Sequence, residues 1–186
     1  AALYDTSNSL SAENELYALL QAIVEQTTTL LKIASSGIYL YDMEREELEV
    51  VVSTSPSIPI GTRLRLGEGM AGRVAQSNRP LRIDDYSAWE DRSSKYAGTP
   101  FRAVLQVPML YAGELIGILT AQEIGESERK FTEADEHLLS LFASQAAGAI
   151  HSARLLEKTT RNLNYLQALH KIDRAISSSF DLRPIL

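Results

Sequence analysis

The chain has 186 residues, 45% of them hydrophobic and 23% charged, with a net charge of −6 and a pI near 5.1. That length suits one domain with extra helix at its ends, the apolar share is enough for a core, and the acidic balance opposes a nucleic-acid partner, which calls for a basic patch. The absence of cysteine excludes disulfides, thiolate metal sites, cysteine nucleophiles and thioether attachment of a bilin within this sequence.

Leu16, Leu19, Leu20, Ile23, Val24, Thr27, Leu30 and Leu31 recur at steps of three and four residues, one face of an amphipathic helix. Ser11 is the expected N-cap, with Glu13 and Glu15 near the positive end of the helix dipole, and Ser35-Ser36-Gly37 ends the helix. Ile38-Tyr39-Leu40-Tyr41 predicts a strand. After a polar turn at 42–47, Leu48, Val50 and Val52 alternate with Glu49, Val51 and Ser53, a half-buried strand that pairs with the first as a hairpin. Ser53 to Gly61 holds two prolines and reads as loop. Met70 to Ser77 is a short helix stopped by Asn78 and Pro80, and Leu81-Arg82-Ile83 a short strand. Residues 84–101 are irregular, polar and aromatic. Ala103 to Tyr111 and Glu114 to Gln122 predict two strands around the Ala112-Gly113 turn, with Pro108 at an edge or bulge.

Thr132 begins a long helix, and Asp135 three residues on completes a capping-box-like pair. Leu138, Phe142, Ala146, Ala149, Ala153 and Leu156 carry an apolar seam, extended by Thr160, Leu163, Leu166, Leu169, Ile172 and Ile176. A helix of about forty residues must pack on something beyond its own sheet, most simply a copy of itself. The expectation is a parallel homodimer through the terminal helices, with Leu138, Phe142, Ala149, Ala153, Leu156 and Leu163 at the interface. Helices flanking an antiparallel sheet, with an irregular segment over it, make an α+β domain. No apolar run approaches the ~20 residues of a membrane span, and no signal peptide is visible, so a cytoplasmic protein without membrane contact is expected.

Gly67-Glu68-Gly69-Met70-Ala71-Gly72 fits the dinucleotide pattern G-x-G-x-x-G. A dinucleotide-binding unit needs a strand, the glycine turn, a full crossover helix and a second parallel strand. Here the following helix ends within about seven residues, while a parallel return takes about a dozen or more. Leu64-Arg65-Leu66 also makes a poor buried strand. The glycines then supply positive φ and close helix–sheet packing.

The run Gly67 to Asp85 also resembles the middle of a GAF domain, a small-molecule sensor and dimerisation module of signalling proteins. The likeness continues in Ile38-Tyr39-Leu40-Tyr41-Asp42, Val104-Leu105-Gln106-Val107-Pro108-Met109, Leu115-Ile116-Gly117-Ile118-Leu119 and Phe131-Thr132-Glu133-Ala134-Asp135. It covers residues 14–157, leaving 1–13 as an N-terminal flank and 158–186 as a linker helix toward a following domain. Leu163 to Leu186 itself resembles the first helix of another GAF domain. The resemblance implies a sheet of five to six antiparallel strands, with N- and C-terminal helices on one face and a variable cap on the other. It implies a non-catalytic sensory domain of a multidomain bacterial signalling protein, such as a two-component system. The output domain would lie in the same polypeptide, and the signal would pass along the C-terminal helix.

A ligand pocket between sheet and cap would be lined by Arg82, Tyr86, Trp89, Tyr96, Phe101, Leu105 and Met109. Aromatic residues with Glu90, Asp91, Arg92, Lys95 and Arg102 among them suit a concave ligand site; they equally suit a cap that folds on its own aromatics and closes the cavity. GAF domains that bind cyclic nucleotides carry an Asn-Lys pair ahead of a Phe, three residues and Asp-Glu. This sequence has Phe131, Asp135 and Glu136, with Gln122-Glu123 where the pair would stand. Cyclic-nucleotide binding and a purely structural dimerisation module both stay open as alternatives. No cofactor or metal is expected: a bilin usually requires Cys, and a haem requires an axial ligand such as His. His137 and His151 sit on the C-terminal helix away from the expected pocket. His170 lacks the His-Glu-x-Arg of a phospho-accepting helix and reads as a linker residue.

Overall fold

The structure is a computed structural model that describes the backbone of residues 2–179 and the side chains of 14–172. It divides into two units, Ala1–His151 and Ser152–Leu186. In the first, α1 (Ala2–Leu31) precedes the hairpin β1 (Ser35–Asp42) and β2 (Glu47–Ser53). Then come β3 (Arg63–Arg65), α2 (Gly69–Ser77), β4 (Leu81–Ile83), a 3-10 turn (Ser94–Tyr96), β5 (Phe101–Tyr111), β6 (Glu114–Ile124) and α3 (Glu133–Ser179). The strands form one sheet in the order β3-β2-β1-β6-β5-β4, and every pairing is antiparallel. The α+β expectation holds, with β3 as a sixth strand. Ser11 is not an N-cap, because α1 is already helical from Ala2.

Strand alternation sends side chains to two faces, and each face has its own core. On one face Leu20, Ile23 and Val24 of α1 and Leu139, Phe142, Ala146 and Ile150 of α3 pack against Ala103, Leu105, Val107, Leu119 and Ala121. The spacing 139-142-143-146-147-150 is the 3.6-residue period that keeps one stripe of α3 against the sheet. On the other face Met70, Ala71 and Val74 of α2, with Tyr86, Tyr96 and Phe101, pack against Tyr39, Val50, Val104 and Ile118. The helices and the cap segment therefore lie on opposite faces. Pro108 lies beyond Gln106, the last residue of β5 paired with β4, where β5 has become the sheet edge and no β4 amide is lost.

The α3 start is capped as its sequence predicts. The Asp135 carboxylate accepts the Thr132 N–H at 2.7 Å and hydroxyl at 2.8 Å, and the Asp135 N–H donates to Thr132 Oγ1 at 3.2 Å. Arg129 joins this cap to the end of α1: it donates to the Leu31 and Lys32 carbonyls and pairs with Asp135 at 2.9 Å. Free C-terminal carbonyls of α1 thus gain a charged donor.

In the second unit, Leu155, Leu156, Leu163, Tyr165, Leu166, Leu169 and Ile172 are exposed. Ile176, expected to extend this seam, lies outside the residues with described side chains. Among the described residues no helix is long and apolar enough to cross a membrane.

Candidate functional site

The floor of the cap-side layer is polar in an unusual way. On β6, Thr120 and Gln122 share the cap face with Ile118. On β5, Gln106 shares it with Val104. Gln106 and Gln122 are both buried. Ser35 Oγ donates to Gln122 Oε1 at 2.8 Å, and Gln106 Nε2 donates to Thr120 Oγ1 at 3.3 Å. Gln106 Oε1 is buried without a hydrogen-bond partner among the described residues. An orphaned buried acceptor costs about 1–3 kcal/mol.

Above this floor lies a cavity of about 10 Å³, lined by Tyr39, Met70, Ala71, Tyr86, Tyr96, Phe101, Val104, Gln106 and Gln122. That is room for about one water molecule. The Tyr39 and Tyr96 hydroxyls meet at 3.3 Å. Tyr86 meets Phe101 edge to face at 5.9 Å. Burial pushes the Tyr86 hydroxyl up to about 12 and raises those of Tyr39 and Tyr96 as well, so all three stay neutral at physiological pH. Among the described residues no charged side chain lines the cavity. The cap has folded on its own aromatics.

Of the seven residues expected to line a pocket, the structure brings Tyr86, Tyr96 and Phe101 together there. Trp89 packs behind Tyr86 with ring centroids 5.8 Å apart, and Arg73 lies over its outer side at 5.6 Å. It is a cap residue outside the cavity wall. Arg82, Leu105 and Met109 are on the opposite face. Leu105 and Met109 are fully buried against the helices, and Arg82, paired in register with Leu105, reaches Glu136 of α3 at 3.1 Å. The cause is a bulge. Phe101 pairs with Ile124 and Val104 with Gln122, so β5 carries one extra residue there. Alternation counted from Phe101 is inverted past it. Tyr39, Gln106 and Gln122 escaped the sequence reading. The available signal was a polar residue within an otherwise apolar run, Gln106 in AVLQVPM.

Of the expected interface residues, Phe142 is buried in the domain's own core and Leu138 packs against it. Ala149 and Ala153 are half-buried, and Leu156 and Leu163 are exposed. His137 and His170 are exposed, and His151 stacks on Tyr111 at 3.9 Å. The half-motif Phe131, Asp135 and Glu136 belongs to the helix side: Phe131 is buried under Arg129, Asp135 caps α3 and Glu136 pairs with Arg82.

The glycine run lies beside the cavity. Gly67 and Gly69 have φ of +79° and +59°. A Cβ on Gly72 would stand 2.4 Å from the Arg65 carbonyl oxygen. These are the structural roles expected of them. Between the first two, Glu68 accepts the Arg65 N–H at 3.1 Å, the Ser93 hydroxyl at 2.7 Å and the Lys95 ammonium at 3.2 Å. Burial pushes its carboxyl up, but the bonds from Ser93, Arg65 and Lys95 outweigh this and hold it below its ordinary 4.5. A carboxyl depressed in the folded state contributes stability above its unfolded value and loses it as pH falls through the folded one. The melting temperature should fall on acidification below about pH 4.5, and Glu68→Gln should flatten that fall. An unchanged slope in the variant would remove Glu68 from the account.

Replacing Gln106 by Leu removes the orphaned acceptor but also the donor to the buried Thr120 hydroxyl, so the two effects offset and the expected net change in thermal melts is near zero, where loss of a single structural bond would cost about 1 kcal/mol. A loss of that size would make the amide a structural bond instead.

Comparison with known proteins places this geometry. The family model described as "GAF domain" matches residues 13–151. The "Probable 3',5'-cyclic phosphodiesterase pde-5" of Caenorhabditis elegans is 26% identical over 166 residues, which is 75% of this chain and 22% of that protein. The "Dual 3',5'-cyclic-AMP and -GMP phosphodiesterase 11A" of Takifugu rubripes is 29% identical over 112 residues, 57% of this chain and 12% of that protein. The chain thus spans a fifth or so of one relative and less of the other. Among solved structures, the GAF domain of an Acinetobacter phosphoenolpyruvate-protein phosphotransferase superposes with TM-score 0.67 at 24% identity, over 84% of this chain and 96% of that one. Free methionine-R-sulfoxide reductase from Neisseria meningitidis, in complex with its substrate, superposes with TM-score 0.64 at 21% identity, over 76% and 81%. At such identities the likeness carries the fold.

Proposed function

Because the chain belongs to the GAF family, we propose that it is a non-catalytic regulatory domain of a larger signalling polypeptide, working as a homodimer through its terminal helices. The observation that carries this is the exposed apolar face of the second unit. At 100° per residue, Leu155, Leu156, Leu163, Leu166 and Leu169 fall within an arc of ~140°. Each is between 45% and 68% exposed. Such a stripe, alone in water, favours association, and an identical helix offers the matching surface. A shift arising in the cap or sheet would pass along α3 to an output domain in the same polypeptide. Light scattering at micromolar concentration tests the dimer; a clean 20.5 kDa monomer would overturn it.

The orphaned Gln106 acceptor favours a second reading, in which the cap-side cavity receives a small molecule. Its chemistry points to an uncharged, hydrogen-bonding ligand. The relatives' names speak of cyclic nucleotides, yet the lining offers no cation to pair with a phosphate, and an unpaired buried charge is costly. Thermal melts with millimolar hypoxanthine, uracil, cAMP and cGMP separate the cases. A rise with a neutral base that is lost in Gln106→Leu supports the reading. A rise with a cyclic nucleotide that survives in Gln106→Leu overturns it.

A further inference from the structure

We propose that Glu68 is a latch that holds the cap shut over the cavity, so that Gly67-Glu68-Gly69 is a docking seat for the cap. The inference rests on the second reading above only for what the opened cap would admit. Gly69 is the seat: a Cβ there would stand 3.1 Å from Ser93 Cβ and 3.2 Å from the Ser93 nitrogen, so the cap backbone lies directly on the bare glycine. Glu68 is the hook. Its Oε1 accepts the Ser93 hydroxyl at 2.7 Å and lies 3.1 Å from Lys95 Nζ, while its Oε2 is held by the Arg65 N–H at 3.1 Å. Lys95 Nζ also donates to the Arg63 carbonyl at 2.6 Å.

What the hook holds is the cavity wall. Ser93 is buried and caps the turn Ser94–Tyr96, accepting the Lys95 N–H at 3.3 Å. That turn delivers Tyr96, whose hydroxyl reaches Tyr39 across the cavity. On the other side of the latch, Met70 and Ala71 of α2 line the same cavity. Other ties of the cap include the exposed pairs Arg73 to Asp91 and Arg102 to Asp85, both at 2.8 Å, and Lys130 to Asp84 at 3.0 Å, which contribute little, together with the Tyr86 N–H bond to the Arg102 carbonyl at 2.6 Å. A cavity of about 10 Å³ falls far short of the ~300 Å³ that a small-molecule site needs, so any ligand must displace the cap. Releasing the two hydrogen bonds by which this carboxylate holds Ser93 and Lys95 frees the cap from the glycine run and leaves the helix-side core intact.

Hydrogen–deuterium exchange on the whole chain without ligand tests the latch, using Glu68→Ala and, independently, Ser93→Ala, which leaves the Arg65–Glu68 bond in place. The expected result is about fivefold or more faster exchange across residues 84–100 in both variants, the equivalent of about one lost hydrogen bond. Acrylamide quenching of Trp89 should rise alongside, while amides of β1 and β6 keep wild-type protection. Wild-type exchange across 84–100 in both variants would overturn the latch. So would acceleration that spreads equally to β1 and β6, which would make Glu68 a general stabiliser. The ligand reading fails separately, by the absence of any melting shift with the neutral bases in the wild type.

Discussion

Leu156→Glu and Leu163→Glu together are expected to convert the proposed dimer to a monomer at micromolar concentration without unfolding the sheet. The two side chains are 68% and 54% exposed in the single chain. Burying a leucine contributes about 1.5–3 kcal/mol, and a dimer buries each leucine twice. At these exposures the double change removes at least ~3.5 kcal/mol of association, and four carboxylates brought together on parallel helices oppose what remains. A loss of that order shifts the dissociation constant by more than ~10²-fold. Light scattering reads the mass, and far-UV circular dichroism reads the sheet. A double variant that stays dimeric would move the interface elsewhere. Phe142 would be a poor probe, because it is buried in the domain's own core and a charge there would unfold the domain whatever the dimer does.

Gly117→Ala should be among the most destabilising single changes in the chain. A Cβ at Gly117 would stand 2.1 Å from the Tyr39 carbonyl oxygen and 2.6 Å from Met109 Cε. Met109 can turn aside, but the Tyr39 carbonyl belongs to the backbone of β1, which pairs with β6 through Leu40 and Gly117. The sheet must open at its centre. The expected loss is about 3 kcal/mol, or about 10 °C in melting temperature. Gly72→Ala is of the same kind, with the Arg65 carbonyl oxygen at 2.4 Å and the Gly67 nitrogen at 2.9 Å. Gly98→Ala is the control: no heavy atom lies within 4 Å and its φ is not positive, so a change within about 0.5 kcal/mol is expected. A Gly117→Ala protein that melts with the control would mean that the central strands yield more easily than their packing implies. Neither glycine variant should respond to NAD or FAD, because among the described residues no parallel strand pair forms the dinucleotide crevice.

Much of the candidate site was legible in part. Tyr86, Tyr96 and Phe101 announced themselves as aromatics in an otherwise polar segment, and they meet at the cavity. Trp89 shared that signal but packs behind Tyr86, since nothing local tells the inner aromatic from the outer. The glycine run was legible as structural from the shortness of α2 and the poor strand before it. Glu68, the residue between the glycines, carried no signal, because its partners Ser93 and Lys95 are far along the chain and the pairing exists only once the cap has folded back.

The sequence by itself determined the family and the α-helices and strands other than β3 (Arg63–Arg65). A 3.6-residue period in α1 and α3 and alternation in β2 are local consequences of backbone geometry, and the Thr132–Asp135 cap needs only three residues of chain. Tertiary structure alone decided which face each side chain serves. Leu105 and Met109 look equivalent to Phe101 when counted along β5, yet a one-residue bulge against β6 sends them to the helices and turns Gln106 toward the cap. Arg82 follows them through its register with Leu105 and finds Glu136. Facing depends on register between distant strands, and a single extra residue inverts it, so periodicity within one strand cannot supply it.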